Sequence, residues 1–300
     1  MSDYLVRVVS KEADVRAFAC ITTDLAAEGM RRHQTSPHAS VALGRGLTNA
    51  AIMGALLNVK QKVAIKLSGD GPLRHVLVES DSYGRLRGYV AEPQVSLPAT
   101  VPLRNLPFTL GSRGSLKVVR HLGRRGLSEG VVELVSGDIN QDIMFFLKQS
   151  DQNPGIIHAD AILDDHDQMM VAGGLLIQVL PGKWRPIDDE EEADTPLTPF
   201  MEPLKKLPKV TDMLIDGETP ESILATIFES TGFEYDILEK RPLSFTCDCS
   251  LQRSTQALLL TGRLELEALH EEGEAVVECH YCHEIYRFDQ AQIEELIAQL

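Results

Sequence analysis

The residue type with the clearest chemical potential in this chain is cysteine, which occurs five times. Four of the cysteines form two close pairs, Cys-x-Cys and Cys-x-x-Cys, with 29 residues between the pairs. They are Cys247, Cys249, Cys279 and Cys282, and we call them the four-cysteine cluster. Two close pairs of this kind are typical of a tetrahedral zinc site built from four thiolates. The spacing therefore predicts one zinc ion per reduced chain, bound by this cluster.

The first pair favours a redox-sensitive site over a zinc knuckle that never changes state, which remains the alternative. Residues 243–249 have the pattern of a strand, where side chains at i and i+2 share a face, so Cys247 and Cys249 can contact one ion. Their Cα atoms would be about 6.6–6.8 Å apart, at the outer limit for a disulfide. Because a disulfide there would bend the strand, we expect oxidation and zinc binding to exclude each other.

Other uses of these residues are less favoured. The stretch from Cys279 to His283 matches C-x-x-C-H, a haem-attachment pattern, but that use leaves Cys247 and Cys249 without a role. His280 and His283 could serve as ligands, yet four thiolates already complete a tetrahedron, so we expect both to lie outside the coordination shell or exposed. A thioredoxin-like dithiol opens a helix, whereas residues 284–288 have a strand pattern. Cys20, predicted to lie on a helix, has the setting of a buried apolar residue.

Composition and charge limit the function classes. With 43% hydrophobic and 24% charged residues, the 300-residue chain is typical of soluble globular proteins and long enough for two or three units. Residues 1–14 carry five charges and no long apolar run, so we expect neither export nor a membrane anchor, and a cytoplasmic location. Residues 183–300 carry 26 acidic and 10 basic residues, against 18 and 19 in residues 1–182. A nucleic-acid partner is therefore not expected.

The element pattern predicts an α+β fold. Helices are predicted at 11–34 and 40–58, the second largely buried. Strands are predicted at 4–9, 63–67, 73–79, 116–119, 131–135 and 175–180. Consecutive strands without intervening helices favour α+β over regular βαβ winding. The chain contains no dinucleotide-binding, phosphate-loop or serine-nucleophile motif, so we do not predict an enzyme.

We predict three parts, with boundaries at residues 182 and 232. A large N-terminal α+β domain, 1–182, is followed by an acidic and helical linker, 183–232, whose run of acidic residues at 188–194 has the composition of a solvated segment. A helix capped by Thr219 and ended by Gly232 presents one apolar face, formed by Ile223, Leu224, Ile227 and Phe228. Residues 233–300 form a small zinc-binding domain that buries little apolar surface and needs its metal.

Together these features resemble the 33 kDa chaperonin family, the redox-regulated holdases of bacterial heat-shock and oxidative-stress responses. The Cys-x-Cys, spacer, Cys-x-x-Cys arrangement is the specific signature. Supporting stretches are Ser-Pro at 36–37, Ala-Leu-Gly-Arg at 42–45, Gly-Asp-Gly-Pro at 69–72, Gly-Tyr-Val at 88–90 and Ala-Gly-Gly-Leu-Leu-Ile-Gln at 172–178. The similarity covers nearly the whole chain. His280, His283 and the acidic run are the unusual features.

The resemblance implies a zinc-bound, reduced and inactive form. It also implies that oxidation creates the disulfides Cys247–Cys249 and Cys279–Cys282, releases zinc and exposes a surface that holds unfolded or oxidatively damaged client proteins, with the active form a homodimer. We assign the candidate client-binding surface to the linker-helix residues Ile223, Leu224, Ile227 and Phe228. Two other functions remain open, a thiol-disulfide oxidoreductase and a zinc-ribbon adaptor that binds its partner constitutively.

Overall fold

The structure is a computed structural model that describes residues 2–183 and 195–300. The acidic run predicted as a solvated linker at 188–194 lies outside the described residues. The described chain divides into two compact units, Met1–Phe245 and Thr246–Leu300. Both mix helices with β-structure, and the predicted α+β class is confirmed. None of the helices within these ranges is long and apolar enough to cross a bilayer.

The first unit contains the following elements. Its strands are β1 (Tyr4–Ser10), β2 (Val15–Ile21), β3 (Lys62–Gly69), β4 (His75–Asp81), β5 (Arg85–Val90), β6 (Gly114–His121), β7 (Leu127–Glu133), β8 (Gly155–Leu163), β9 (Met169–Val179), β10 (Asp236–Pro242) and β11 (Ser244–Phe245). Its helices are α1 (Thr23–His33), α2 (Pro37–Ala55), α3 (Leu106–Leu110), α4 (Ile139–Gln149), α5 (Thr198–Lys206), α6 (Val210–Ile215) and α7 (Pro220–Thr231).

Two sheets form the body of this unit. One has five antiparallel strands in the order β10-β1-β2-β9-β8. The other has six in the order β11-β5-β4-β3-β6-β7, where only β11 runs parallel to its neighbour. The six strands predicted between residues 4 and 180 are all present, with ends that differ by several residues; β7, for example, begins at Leu127 rather than at 131. The division at residues 182 and 232 stays a prediction, and β10 and β11, which follow 232, pair with strands of the first unit.

The helix predicted at 11–34 is wrong in its first half, because Val15–Ile21 forms the strand β2. One face of β2 contributes Phe18 and Cys20 to the larger apolar core, and the other contributes Ala17 and Ala19 to a second core. A strand covered on both faces shows a continuous apolar run instead of alternation, and such a run cannot be distinguished from a helix by periodicity. Cys20 accordingly lies on a strand, and is only 1% exposed.

The helix predicted at 40–58 is confirmed as α2 and lies between the two sheets. It packs against β8 and β9 of one sheet and β4 and β5 of the other, so nearly all of its residues are buried. Small residues permit this close approach. A Cβ on Gly44 would lie 2.8 Å from the Cβ of Ala161, and one on Gly46 would lie 2.8 Å from Val76 Cγ1. The central helix therefore ties both sheets into one core.

Helices α5, α6 and α7 cover the outer face of the five-stranded sheet. As predicted, Thr219 caps α7, Pro220 occupies its first turn and Gly232 ends it in the left-handed conformation, with φ of 76°. The apolar face of α7 packs into the second core, where its residues are at most 1% exposed: Ile223, Leu224, Ile227 and Phe228. The linker helix is thus docked in this structure.

The second unit is small. It contains α8 (Leu251–Thr261), α9 (Arg263–Glu272), β12 (Glu274–Glu278), β13 (Ile285–Asp289) and α10 (Gln290–Ile297). The predicted capping box of the last helix is confirmed, with the side chains of Asp289 and Gln292 each bonding the other's backbone N–H. Its core has six buried members: Leu258, Leu266, Ala275, Phe288, Ile293 and Leu296. Such a core is at the lower limit of what folds without a metal or disulfide.

Candidate metal centre

The first cysteine pair lies in an irregular segment and not on a strand. The strand predicted at 243–249 is present only as the two residues of β11, which end at Phe245. The side chain of Ser250 accepts a hydrogen bond from the backbone N–H of Arg253 and caps α8. The chain between β11 and this cap carries Cys247 and Cys249, so strand alternation does not bring them together. The Cα separation of about 6.6–6.8 Å holds only for two residues of one strand. The expectation that a Cys247–Cys249 disulfide would bend a strand therefore does not apply here.

The second pair lies in a tight turn between β12 and β13, as predicted. Cys279 donates its backbone N–H to the carbonyl of Glu284 at 3.0 Å, and its own carbonyl accepts from the N–H groups of Cys282 and His283 at 3.3 and 2.8 Å. His283 adopts the left-handed conformation, with φ of 57°, which closes the turn. This backbone presents the Cys279 and Cys282 sulfurs to the same side.

The four sulfur atoms of the cluster converge on one point. All four lie within 4.8 Å of one another. The Sγ atoms of Cys247 and Cys279 are 3.6 Å apart, and those of Cys249 and Cys282 are 3.3 Å apart. None of the four forms a disulfide. Tetrahedral Zn–S bonds of about 2.3 Å place ligand sulfurs about 3.8 Å apart, so the donor type, number and spacing fit a structural zinc ion.

The surroundings of the cluster disfavour negative charge. Burial raises the pKa of Cys282 above its ordinary value, and hydrogen bonds with the other cluster sulfurs raise it further. Burial also raises the pKa of Cys279. Cys282 is only 5% exposed, and the other three are half-buried. Four thiolates at this spacing repel one another and require a compensating cation.

One contact of the cluster was not predicted from the sequence. The phenol of Tyr286, on β13, donates a hydrogen bond to the Sγ of Cys249 at 3.2 Å. This bond is the main cause of the raised pKa of Tyr286. The signal that could have revealed it is the position of Tyr286, on the strand that directly follows the Cys-x-x-Cys turn. The bond joins β13 to the first cysteine pair.

The histidines beside the second pair lie at the surface. His280 and His283 are both exposed, as expected from four thiolates already filling the coordination shell. The Nδ1 atom of His283 contacts the carboxylate of Glu278. The turn leads into β13 and not into a helix, so it lacks the helix N-terminus that lowers the pKa of a thioredoxin-type thiol.

The remaining cysteine has the environment of an inert core residue. Burial raises the pKa of the Cys20 thiol to about 12. Because the thiolate is the reactive form, this thiol reacts slowly with oxidants at neutral pH. The expectation that Cys20 serves as a small buried apolar residue fits its place in the larger core.

Comparisons with known proteins agree over the full length of the chain. A family model described as "Hsp33 protein" matches residues 3–289. The 33 kDa chaperonin of Geobacter sulfurreducens is 40% identical over 99% of this chain and 95% of its own length. That of Geobacillus kaustophilus is 37% identical over 99% and 98%.

A solved structure shows the same architecture. The crystal structure of the 33 kDa chaperonin (heat shock protein 33 homolog) from Thermotoga maritima matches with a TM-score of 0.86 and 28% sequence identity. The match covers 99% of this chain and 98% of that one. None of these names describes an enzyme. The resemblance inferred from the cysteine spacing is therefore confirmed, and the chain belongs to the Hsp33 family of 33 kDa chaperonins.

Proposed function

We propose that this chain is a redox-regulated, ATP-independent holdase that keeps thermally unfolding and oxidatively damaged proteins from aggregating. In this proposal the reduced, zinc-bound form is inactive in the cytoplasm, and oxidation activates it. One observation carries the proposal: four thiols converge within 4.8 Å in a unit whose core has only six buried members. The fold of that unit then depends on the chemical state of the thiols.

The resident metal in this proposal is one zinc ion per chain, held by the four-cysteine cluster. Zinc, when bound, supplies on the order of 10–16 kcal/mol to the folding of small zinc units. That is comparable with the whole stability of an ordinary domain, about 5–15 kcal/mol. Residues 246–300 therefore stay folded only while the four sulfurs remain available as ligands.

Oxidation removes those ligands. Two thiolates and two protons react with one peroxide molecule to give one disulfide and two molecules of water, so two peroxide molecules oxidise the cluster. We propose the pairs Cys247–Cys249 and Cys279–Cys282, each of which joins residues close in sequence. Disulfide sulfurs retain little affinity for zinc, since the thiolate is the metal ligand. The small unit then loses its fold and zinc is released.

Unfolding of residues 246–300 destabilises the linker through β10 and β11, the strands that connect the two segments. Strand β11 ends only two residues before Cys247, and β10 directly precedes β11. Lys240 on β10 and Tyr4 on β1 both contact the carboxylate of Glu221 on α7, at 2.8 and 2.7 Å. When β10 frays from the sheet edge, α7 loses its ion pair with Lys240.

The surface exposed by this release is the proposed client-binding site. It comprises the α7 residues Ile223, Leu224, Ile227 and Phe228 and the apolar sheet face beneath them, all buried in the docked form. Contiguous apolar patches that become exposed bind unfolded chains or a second copy of the protein, which supports a homodimer as the oxidised form. The 26 acidic residues among 183–300 keep the opened form soluble by self-repulsion.

The test is aggregation of a thermally unfolding client protein, followed by light scattering. The reduced, zinc-loaded protein should leave aggregation unchanged, and the same protein after peroxide and mild heat should suppress it without ATP. Equal suppression by both forms would favour a constitutive adaptor. Turnover in an insulin-reduction assay would instead favour a thiol-disulfide oxidoreductase.

A further inference from the structure

A cavity of about 430 Å³ lies within the first unit, beneath the docked linker helices. Protein interiors seldom contain voids much larger than a water molecule, whereas ligand pockets usually span about 300–1,000 Å³. The cavity has a charged end, built by the core of the unit, and an apolar wall, built largely by α5, α6 and α7. This division of polar and apolar surface is typical of a site for an amphipathic molecule.

The charged end centres on two arginines that share one carboxylate. Asp160 accepts from Arg45 at 2.8 Å and also contacts Arg104. Arg45 is nearly buried and is held a second time by Asp138 at 3.1 Å. Burial lowers the pKa of Arg104, and the positive charge of Arg45 lowers it further. Each carboxylate oxygen of Asp160 therefore already contacts an arginine. The two guanidinium groups still repel each other.

The side chains that line the cavity carry one net positive charge, and Asp212, which lies outside the lining, adds a carboxylate that acts on Arg104. The cationic side chains of the lining are Arg45, Arg104 and Lys209, and its carboxylates are Asp138 and Asp160. His158 also lines the cavity, and burial lowers its pKa, so it is neutral at pH 7. The lining thus matches a ligand with one negative charge. A guanidinium with several N–H donors binds a planar carboxylate through paired hydrogen bonds.

The opposite wall suits an alkyl chain. It includes Leu207, Met213 and Ile223, which come from the segment between α5 and α6, from α6 and from α7. Their faces away from the second core line the cavity, so a bound alkyl chain would gain contacts with them. We propose that this cavity binds a medium-chain carboxylate, with its carboxylate at Arg104 and its alkyl chain along the linker wall.

Binding at this site has a consequence that rests on the proposed function. The apolar wall exists only while the linker helices are docked, so the ligand binds the docked form and not the opened one. A ligand selective for one state shifts the equilibrium toward that state in proportion to its saturation. The carboxylate therefore delays opening of the linker and acts as an inhibitor of chaperone activation.

The binding test uses isothermal titration calorimetry on the reduced, full-length protein, with decanoate below its micellar concentration. We expect one decanoate per chain. Arg104→Gln should weaken binding at least about tenfold, the effect of losing a hydrogen bond between charged groups. The matched control is Arg124→Gln, at an exposed arginine of the same unit that lies outside the cavity lining, and it should bind as the wild type does. Decanol should bind at least about tenfold more weakly than decanoate.

A series from butanoate to dodecanoate tests the wall without mutation. Affinity should rise about fourfold for each buried methylene and level off when the chain fills the cavity. No saturable binding, equal binding of decanol, or equal binding by Arg104→Gln would each overturn the assignment.

The regulatory experiment adds saturating decanoate during peroxide treatment. Holdase activity should then appear more slowly in the wild type and at an unchanged rate in Arg104→Gln. Unaltered activation of a decanoate-saturated wild type would overturn the regulatory part alone, and absence of holdase activity without decanoate would instead overturn the proposed function.

Discussion

Truncation of Phe228 to alanine should activate the reduced protein in part. This ring is 1% exposed and packs against Phe200 and Tyr235, with centroids 5.5 and 4.7 Å away. Removing a buried phenylalanine side chain costs about 3–5 kcal/mol. Because the lost contacts join α7 to α5 and to the segment before β10, most of that cost falls on linker docking. The population of the opened linker should therefore rise by about two to almost four orders of magnitude.

The assay compares reduced, zinc-loaded Phe228→Ala with the wild type in client aggregation, together with zinc content. The matched control is Phe146→Ala, which truncates an equally buried ring in the larger core, outside the linker. Both variants should lower the midpoint of thermal unfolding, but only Phe228→Ala should suppress aggregation while it still holds one zinc. If reduced Phe228→Ala stays inactive while its linker amides exchange freely, the linker face is not the client-binding surface.

Three further predictions concern the metal centre and the fold. Cys279→Ser should lower the zinc content of reduced protein well below one per chain and remove the helical signal of residues 246–300, measured by metal analysis and circular dichroism; full zinc retention would contradict the ligand assignment. Tyr286→Phe, which deletes the donor to Cys249, should speed peroxide-driven zinc release about two- to tenfold, the range expected for one hydrogen bond, and an unchanged rate would show that this bond does not hold the cluster together. Burial raises the pKa of Asp3 from 3.8 to about 6, so this carboxyl binds a proton more tightly in the folded state and its contribution to stability falls as pH rises between those values, by up to about 3 kcal/mol. Asp3→Asn should flatten the decline in unfolding free energy between about pH 4 and pH 6, and an identical slope in chemical denaturation would contradict the assignment.

The sequence alone was sufficient to predict the features that depend on residues close together in the chain. The cap at Thr219, the stop at Gly232 and the turn from Cys279 to Cys282 depend on neighbouring residues, and the structure has all three. The convergence of the four sulfurs follows from ligand counting, because two close pairs satisfy one tetrahedral ion.

Features that depend on residues far apart in the chain could not be predicted from the sequence alone. Val15–Ile21 is a strand because β1 and β9 pair with it and two cores cover its faces, none of which is visible in seven apolar residues. Cys247 and Cys249 leave the strand conformation because β11 pairs with β5 over only two residues and Ser250 starts α8. The Tyr286 contact and the charged cavity end depend on side chains brought together by folding.

Hydrogen exchange on the reduced and the peroxide-treated protein tests the central claim most directly, namely that oxidation of the cluster unfolds the small unit and frees the linker. In the reduced form, amides of residues 246–300 and of α7 should be protected. After oxidation, protection should vanish in residues 246–300 and fall in α7, while α2 and the strands around it stay protected. An oxidised protein that suppresses aggregation while residues 246–300 keep full protection would contradict the account.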